Sequence, residues 1–394
     1  MRNAWRVAVV VAAAVGLASG CNLIAGIREG VPLEVLEIAT GFFHTCALLS
    51  QGEVKCWGYN DYGQLGLGDN AVRGDSPGEM GYALSAVDLS SGRTAKALAA
   101  GYYHICALLD DGSVKCWGGN YSGQLGLGDT KHRGTNFGEM GNSLPVVDLG
   151  SGKTATALAA GGDHTCALLN DGFMKCWGLN DDGQLGLGDN AVRGDDPDEM
   201  GNSLPTVDLG SGKTAKALAA GGSHTCVILN DDSTKCWGHN DFGQLGLGDT
   251  AHRGDDPGEM GDALPAVNLV SGKTSAALAT GYDHTCAILN DGSTKCWGRN
   301  AYGQLGLGDT AHRGDASGEM GDTLPTVSLG NDKTAVALRA DGHHTCARFN
   351  DGSVKCWGAN HYGQLGLGGA ANRGDAPGEM SDALPTVKLF SPLW

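Results

Sequence analysis

His164-Thr165-Cys166-Ala167-Leu168-Leu169-Asn170-Asp171-Gly172-Phe173-Met174-Lys175-Cys176-Trp177-Gly178 is the stretch that decides the fold. Two runs of four to six apolar or β-prone residues flank Asn170-Asp171-Gly172, three residues suited to a tight turn, so the segment reads as a β-hairpin. Gly172 is the residue for which a left-handed backbone costs nothing. Counting outward from that turn, Leu169 faces Phe173, Leu168 faces Met174, Ala167 faces Lys175 and Cys166 faces Cys176. Before the hairpin, Ala155 to Ala160 is another short apolar run ending at Gly161-Gly162. After it, Leu204-Pro205-Thr206-Val207-Asp208-Leu209 alternates apolar with polar. The reading is about four strands per unit and no amphipathic helix.

The unit recurs. His44, His104, His164, His224, His284 and His344 are spaced 60 residues apart, as are Trp57, Trp117, Trp177, Trp237, Trp297 and Trp357. Gly-Gln-Leu-Gly-Leu-Gly, beginning at Gly63, appears six times in the same phase. A strict period of this length means one supersecondary unit copied in tandem, each copy burying its apolar face against its neighbours. All-β units of about four strands predict a six-bladed β-propeller over residues 35–394. The alternative, seven blades, would need about 60 residues that the chain of 394 does not have. The chain enters at Val35-Leu36-Glu37-Ile38-Ala39 and ends in Leu384-Pro385-Thr386-Val387-Lys388-Leu389. From that phase the C-terminal strand is expected to complete the blade begun at the N-terminus.

Composition agrees. The chain is 41% hydrophobic, and its 66 glycines follow no collagen period, so they mark turns. The formal charge of −17 offers no basic surface for a phosphate backbone, and no nucleic-acid partner is expected. Residues 1–20 read as a lipoprotein signal peptide. Arg2 and Arg6 precede the apolar run Val7 to Leu17, which is too short to span a bilayer, and Leu17-Ala18-Ser19-Gly20 leads into Cys21. The small residues before Cys21 resemble a lipobox, with Ala18 where Leu is commoner. That resemblance implies lipidation of Cys21, export to the cell envelope and a membrane anchored through lipid alone, the outer membrane being preferred because Asn22 follows the Cys. Residues 21–34 form a short tether.

Removing Cys21 from the 13 cysteines leaves two per repeat. The hairpin register puts each pair opposite one another at a non-hydrogen-bonded position, where Cα atoms lie about 4.5 Å apart. The expected disulfides are Cys46–Cys56, Cys106–Cys116, Cys166–Cys176, Cys226–Cys236, Cys286–Cys296 and Cys346–Cys356. Bridges between neighbouring blades and a metal site are the alternatives. Cys-x-x-Cys is absent, and an exported chain favours disulfides.

The unit Gly-x-x-His-Thr-Cys-Ala-Leu…Asp-Gly-x-Val-Lys-Cys-Trp-Gly-x-Asn…Gly-Gln-Leu-Gly-Leu-Gly resembles the regulator of chromosome condensation repeat, and the resemblance covers residues 35–389. It implies a propeller, commonly of seven blades, that uses its faces to grip other proteins. Members include a nuclear exchange factor, a plant photoreceptor and a secreted β-lactamase inhibitory protein, so it says little about activity.

Other motifs resolve to structure. Gly152-Lys153-Thr154 lacks the earlier glycine of a phosphate loop and is followed by a strand, so no nucleotide is expected. The repeated histidines are read as hydrogen-bonded to a neighbouring loop. Arg73 is expected to pair with Asp75 or Glu79 across a long loop. No catalytic motif or cofactor signature is present, and no metal ligand set is expected. The recognition surface is sought where copies differ: Phe42-Phe43, Tyr102-Tyr103, Gly162-Asp163, Gly222-Ser223, Tyr282-Asp283 and Gly342-His343; then Tyr59, Gly119, Leu179, His239, Arg299 and Ala359; then Asp61-Tyr62, Tyr121-Ser122, Asp181-Asp182, Asp241-Phe242, Ala301-Tyr302 and His361-Tyr362. Its expected members are Phe42, Phe43, Tyr59, Tyr62, Tyr102, Tyr103, Tyr121, Tyr282, Tyr302 and Tyr362. The function expected is a non-enzymatic scaffold or protein-binding lipoprotein. An inhibitor of a secreted or periplasmic enzyme and an extracytoplasmic lyase or glycosidase are the alternatives.

Overall fold

The computed structural model describes residues 34–331 and 333–388, so the segment read as a signal peptide, Cys21 and the expected tether except residue 34 lie outside the described residues. The chain is all-β and forms six antiparallel three-stranded sheets in sequence order. Blade 1 is Val35–Thr40, His44–Leu49 and Val54–Gly58; blade 2 is Ala95–Ala100, His104–Leu109 and Val114–Gly118; blade 3 is Ala155–Ala160, His164–Leu169 and Met174–Gly178. Blade 4 is Ala215–Ala220, His224–Leu229 and Thr234–Gly238; blade 5 is Ser275–Thr280, His284–Leu289 and Thr294–Gly298; blade 6 is Ala335–Asp341, His344–Phe349 and Val354–Gly358.

The turn sets the register. Gly172 sits at φ +83°, the Leu169 N–H donates to the Phe173 carbonyl at 2.8 Å, and Cys166 stands opposite Cys176. Cα atoms of every cysteine pair are 4.1 Å apart and their sulfurs are bonded, from Cys46–Cys56 through Cys346–Cys356. A disulfide here ties two strands already adjacent, so it closes a short loop and removes about 2–3 kcal/mol of unfolded-state freedom.

The fourth strand differs from expectation. The Leu-Pro-x-Val segments make no ladder; each is an extended piece held to the third strand of its own blade by one bond. The Val147 N–H donates to Val114 at 2.8 Å, Val207 to Met174 at 3.0 Å and Val387 to Val354 at 2.8 Å. Proline two residues earlier, at Pro145, Pro205 and Pro385, offers no donor to a ladder, and blade 1, with Ser85 there, has the same single bond. Buried lysines hold the segments instead: Lys175 Nζ donates to the carbonyls of Leu149 at 3.1 Å and Gly201 at 2.5 Å. The bond from Val387 also corrects the expected closure. The C-terminal segment stays with blade 6 and does not complete blade 1, which has its own Val87 bonded to Val54 at 2.8 Å.

The six first strands surround a central cavity of about 290 Å³. Between consecutive blades the same devices recur. Backbone N–H groups of Phe42, Tyr102, Gly162, Gly222 and Tyr282 donate to the carbonyls of Tyr102, Gly162, Gly222, Tyr282 and Gly342, each the next blade's equivalent. Trp117, Trp177, Trp237, Trp297 and Trp357 are buried and donate Nε1–H to the Gln64, Gln124, Gln184, Gln244 and Gln304 carbonyls. Each indole lies over a glycine of the preceding blade: a Cβ on Gly186 would meet Trp237 Nε1 at 2.6 Å. These seams contain the apolar core.

The sixth seam, between blades 6 and 1, is an open cleft of about 770 Å³. Among the described residues no backbone bond from Gly342 to Phe42 and no bond from Trp57 Nε1 crosses it. Val35, Ile38 and Met80, whose counterparts are packed in the other seams, are 56%, 45% and 43% exposed.

Candidate functional site

Five first strands run into a glycine beside the central cavity and the sixth ends at Asp341, and the two residues after that position stand at one end of the propeller. The residues following each Trp-Gly stand at that same end, because three antiparallel strands return the chain there. Positions that differ between repeats therefore share one face.

On blades 1 and 2 that face is aromatic. Phe42 and Phe43 meet edge to face at 4.4 Å between centroids, and Phe42 also meets Tyr102 at 5.4 Å and Tyr103 at 6.4 Å. Tyr59 touches Phe43, Tyr62 and Tyr103 at 6.0–6.2 Å. Tyr62 touches Tyr103 at 5.1 Å and Tyr121 at 5.5 Å, and His132 closes the edge at 4.6 Å from Tyr121. A recess lined by Phe43, Trp57, Tyr59, Val72 and Tyr103 opens beside it. Tyr102 reaches across the mouth of the cavity and stacks on Tyr282 of blade 5 at 5.5 Å with planes 16° apart. Tyr282 continues through His343 to Tyr302. Nine of the ten expected surface aromatics thus belong to one connected set. Tyr362 stands apart, 95% exposed, with no described ring partner.

Burial raises the Tyr102 hydroxyl far above the usual phenol range, and its oxygen has no hydrogen-bond partner among the described atoms. This hydroxyl stays protonated beside the Tyr282 ring.

Blades 3 and 4 carry a different chemistry on the same face. His239 Nε2 is 3.2 Å from Asp241 Oδ2 and His252 Nε2 is 3.2 Å from Asp241 Oδ1, while His252 Nδ1 is 3.5 Å from Asp182 Oδ1. Asp283 lies behind, accepting from Arg299 Nη1 at 3.1 Å, with His239 Nδ1 3.7 Å away. Burial acts to raise the Asp283 carboxyl, but the nearby His239 ring and the hydrogen bond from Arg299 outweigh it and hold the group below the usual range. The sequence singled out His239, Asp182 and Asp241 as varying positions without grouping them, and it missed His252. Fifty-seven to seventy residues separate Asp182 from the histidines, so no local spacing could bring them together.

Two local expectations are corrected. The repeated histidines bond to a strand of the next blade rather than to a loop: His104, His164, His224 and His284 Nε2 pair with Oγ1 of Thr165, Thr225, Thr285 and Thr345 at 2.8–3.0 Å. His44 has no such partner, because Ile105 occupies that place. Arg73 pairs with Asp69 at 2.6 Å rather than with Asp75 or Glu79, since Asp69 also caps the loop through the Ala71 N–H. Glu79 instead accepts from the Gly74 and Ser76 backbone. Among the described ion pairs, blade 6 alone, where Gly369 replaces the aspartate, has the arginine turned to glutamate: Arg373 lies 3.8 Å from Glu379.

Comparison with known proteins places this architecture. The model of the RCC1-like domain matches residues 19–390. The chain is 32% identical over 342 residues to the Ultraviolet-B receptor UVR8 of Arabidopsis thaliana, covering 86% of this chain and 68% of that one. It is 28% identical over 339 residues to the E3 ubiquitin-protein ligase HERC2 of Homo sapiens, of which it spans 6%. Among solved structures, Prp20p of Saccharomyces cerevisiae, described with its binding to Gsp1p and histones, superposes with a TM-score of 0.64 at 23% identity, covering 90% of this chain and 77% of that one. Human WBSCR16 gives 0.65 at 20% identity, with 92% and 84% covered. At those identities the two structures speak for the fold alone.

Proposed function

The chain belongs to the RCC1-like family, and from that premise we propose that it is a non-enzymatic protein-binding lipoprotein of the cell envelope. The observation that carries the binding role is the connected aromatic sector of blades 1 and 2. Phe43 and Tyr121 are 58% and 63% exposed there although packed edge to face with neighbours. Clustered exposed aromatics on a rigid scaffold lose little freedom on binding and provide the anchors typical of protein interfaces. Acidic residues rim the sector, Asp61 bonding the Tyr59 hydroxyl at 2.7 Å, and the whole chain carries −17. The partner is therefore a protein that presents an apolar projection flanked by basic residues. Support for the envelope comes from the Ala18-Ser19-Gly20-Cys21 sequence and from two cysteines in every repeat.

Photo-crosslinking from position 43 in intact envelopes tests the reading. One discrete adduct is expected, and Tyr59→Ala with Tyr103→Ala should remove it while Tyr362→Ala leaves it intact. An adduct indifferent to all three changes overturns the face. Cys21→Ser should move the protein from the membrane to the soluble fraction, and unchanged membrane association would refute the anchor.

A further inference from the structure

The geometry points to a divalent-cation site of the zinc type between blades 3 and 4, ligated by Asp182, His239 and His252 and braced by Asp241. One ligand atom from each of the three ligands lies within 4.8 Å of the others. A zinc ion with bonds of about 2.0–2.2 Å holds its ligand atoms about 3.3–3.5 Å apart. The pair His252 Nδ1 and Asp182 Oδ1, at 3.5 Å, already has that spacing. Imidazole nitrogens with a carboxylate oxygen are a donor set suited to zinc and its first-row neighbours. Three protein ligands leave the fourth position open to water or to an incoming side chain.

Charge supplies the second observation. Among the described ion pairs, Asp182 and Asp241 meet no lysine or arginine; their only partners are the two histidines. The cluster thus holds two carboxylates with no lysine or arginine paired to them among the described ion pairs, which a divalent cation would neutralise. Asp241 Oδ1 meets His252 at Nε2, the nitrogen facing away from Asp182, the arrangement by which an outer carboxylate fixes a metal-binding imidazole, while Gln244 Nε2 holds His239 Nδ1 at 2.7 Å and leaves its Nε2 for the ion. The ligands are half-buried, at 19% to 28% exposure, so an ion can enter without a costly opening.

The repeats provide an internal control. The four equivalent positions at the other sealed seams read Tyr62, Gly119, Tyr121, His132; then Ser122, Leu179, Asp181, Val192; then Phe242, Arg299, Ala301, His312; then Tyr302, Ala359, His361, Asn372. No other seam joins two histidines to a carboxylate of the preceding blade. The inference is independent of the aromatic face and stands or falls by its own measurement.

The full chain, without an affinity tag, is stripped with chelator and titrated with Zn²⁺ alone by calorimetry at pH 7.5. One saturable equivalent is expected. His239→Ala or His252→Ala should abolish it, and Asp241→Asn should weaken it about 10–100-fold. His312→Ala should leave it unchanged. Asp182→Asn keeps the side-chain shape and the test decisive if the alanine variants unfold; a loss of at least about tenfold is expected. Absence of saturable binding, or binding undiminished in both histidine variants and in Asp182→Asn, overturns the site.

Discussion

The seam between blades 3 and 4 and the seam between blades 6 and 1 are built from the same repeat, yet one is sealed and the other open. At the first, Trp237 is buried over Gly186, His164 bonds to Thr225, and Thr225 Oγ1 donates to the Gln184 carbonyl at 2.9 Å. At the second, every one of these residues has its counterpart: Trp57, Gly366, His344, Thr45 and Gln364. None of the described bonds forms between them. What differs is a handful of side chains facing the cleft. Glu37 stands where other first strands have alanine, Arg339 where they have alanine, Asp341 where they have glycine, and Arg348 where they have leucine or isoleucine. Burial pushes the Asp341 carboxyl up to about 6, and its hydrogen bond to Thr40 acts in the opposite direction. Repeat identity specifies the devices of a seam, and the seam that does not use them is the one lined by these charges, whose burial is costly unless they are paired or left in water.

The largest test of this contrast is the loss of a tryptophan. Trp237→Ala should destabilise the propeller by about 3–5 kcal/mol, as expected for emptying a packed aromatic site. Trp57→Ala, at the cleft, should cost about 1 kcal/mol or less. Urea midpoints measure both. Equal losses would mean that the cleft is closed in solution.

Acid should separate the seams next. Burial pushes His104, His164 and His284 down to about 3 and His224 to about 4, so the folded chain keeps these rings neutral. In the unfolded chain a histidine titrates near its ordinary value of about 6.5. Above that pH both states are neutral and these groups contribute no pH dependence. Below it the unfolded state binds more protons, and stability falls until the folded values are reached. One such histidine contributes up to about 2 kcal/mol between pH 7 and pH 5. His164→Asn should therefore flatten the pH dependence of the denaturation midpoint by that order. Replacing His44, buried at about 4 without a partner at its nitrogens, should flatten it similarly while costing less at pH 7. A midpoint unchanged from pH 7 to 5 in the wild-type chain would contradict the buried neutral rings.

The smallest effect lies in the hydroxyls. Thr225→Val removes the partner of His164 and the donor to Gln184, and should cost about 1–2 kcal/mol. Thr45→Val, at the cleft, should change stability by less than about 0.5 kcal/mol. Comparable costs at the two positions would show that Thr45 is engaged across the sixth seam.

Much of this was legible in the chain itself. The β content, the six-fold count, the hairpin register and the pairing partners within each hairpin follow from turn residues and side-chain alternation. These are relations between residues about ten apart, and a two-residue period leaves one register that faces the apolar set inward. The aromatic positions of the face were readable as departures from the repeat, because a strict period makes each variation visible. Two conclusions, one from alternation and one from phase, did not hold. The fourth strand came down to a single bond in every blade, blade 1 with Ser85 in place of proline included, and the C-terminal segment remained with its own blade.

What only the tertiary structure decided lies between blades. The bond from His164 to Thr225 joins residues 61 apart, and that from Trp237 to Gln184 joins residues 53 apart. The grouping of Asp182 with His239 and His252, the reach of Tyr102 across the cavity to Tyr282 and the opening of the sixth seam are of the same kind. Local propensity acts over one hairpin, whereas these arrangements depend on how six hairpins share one axis. That sharing is set by packing volume and by which buried groups find partners, and neither is written in any single repeat.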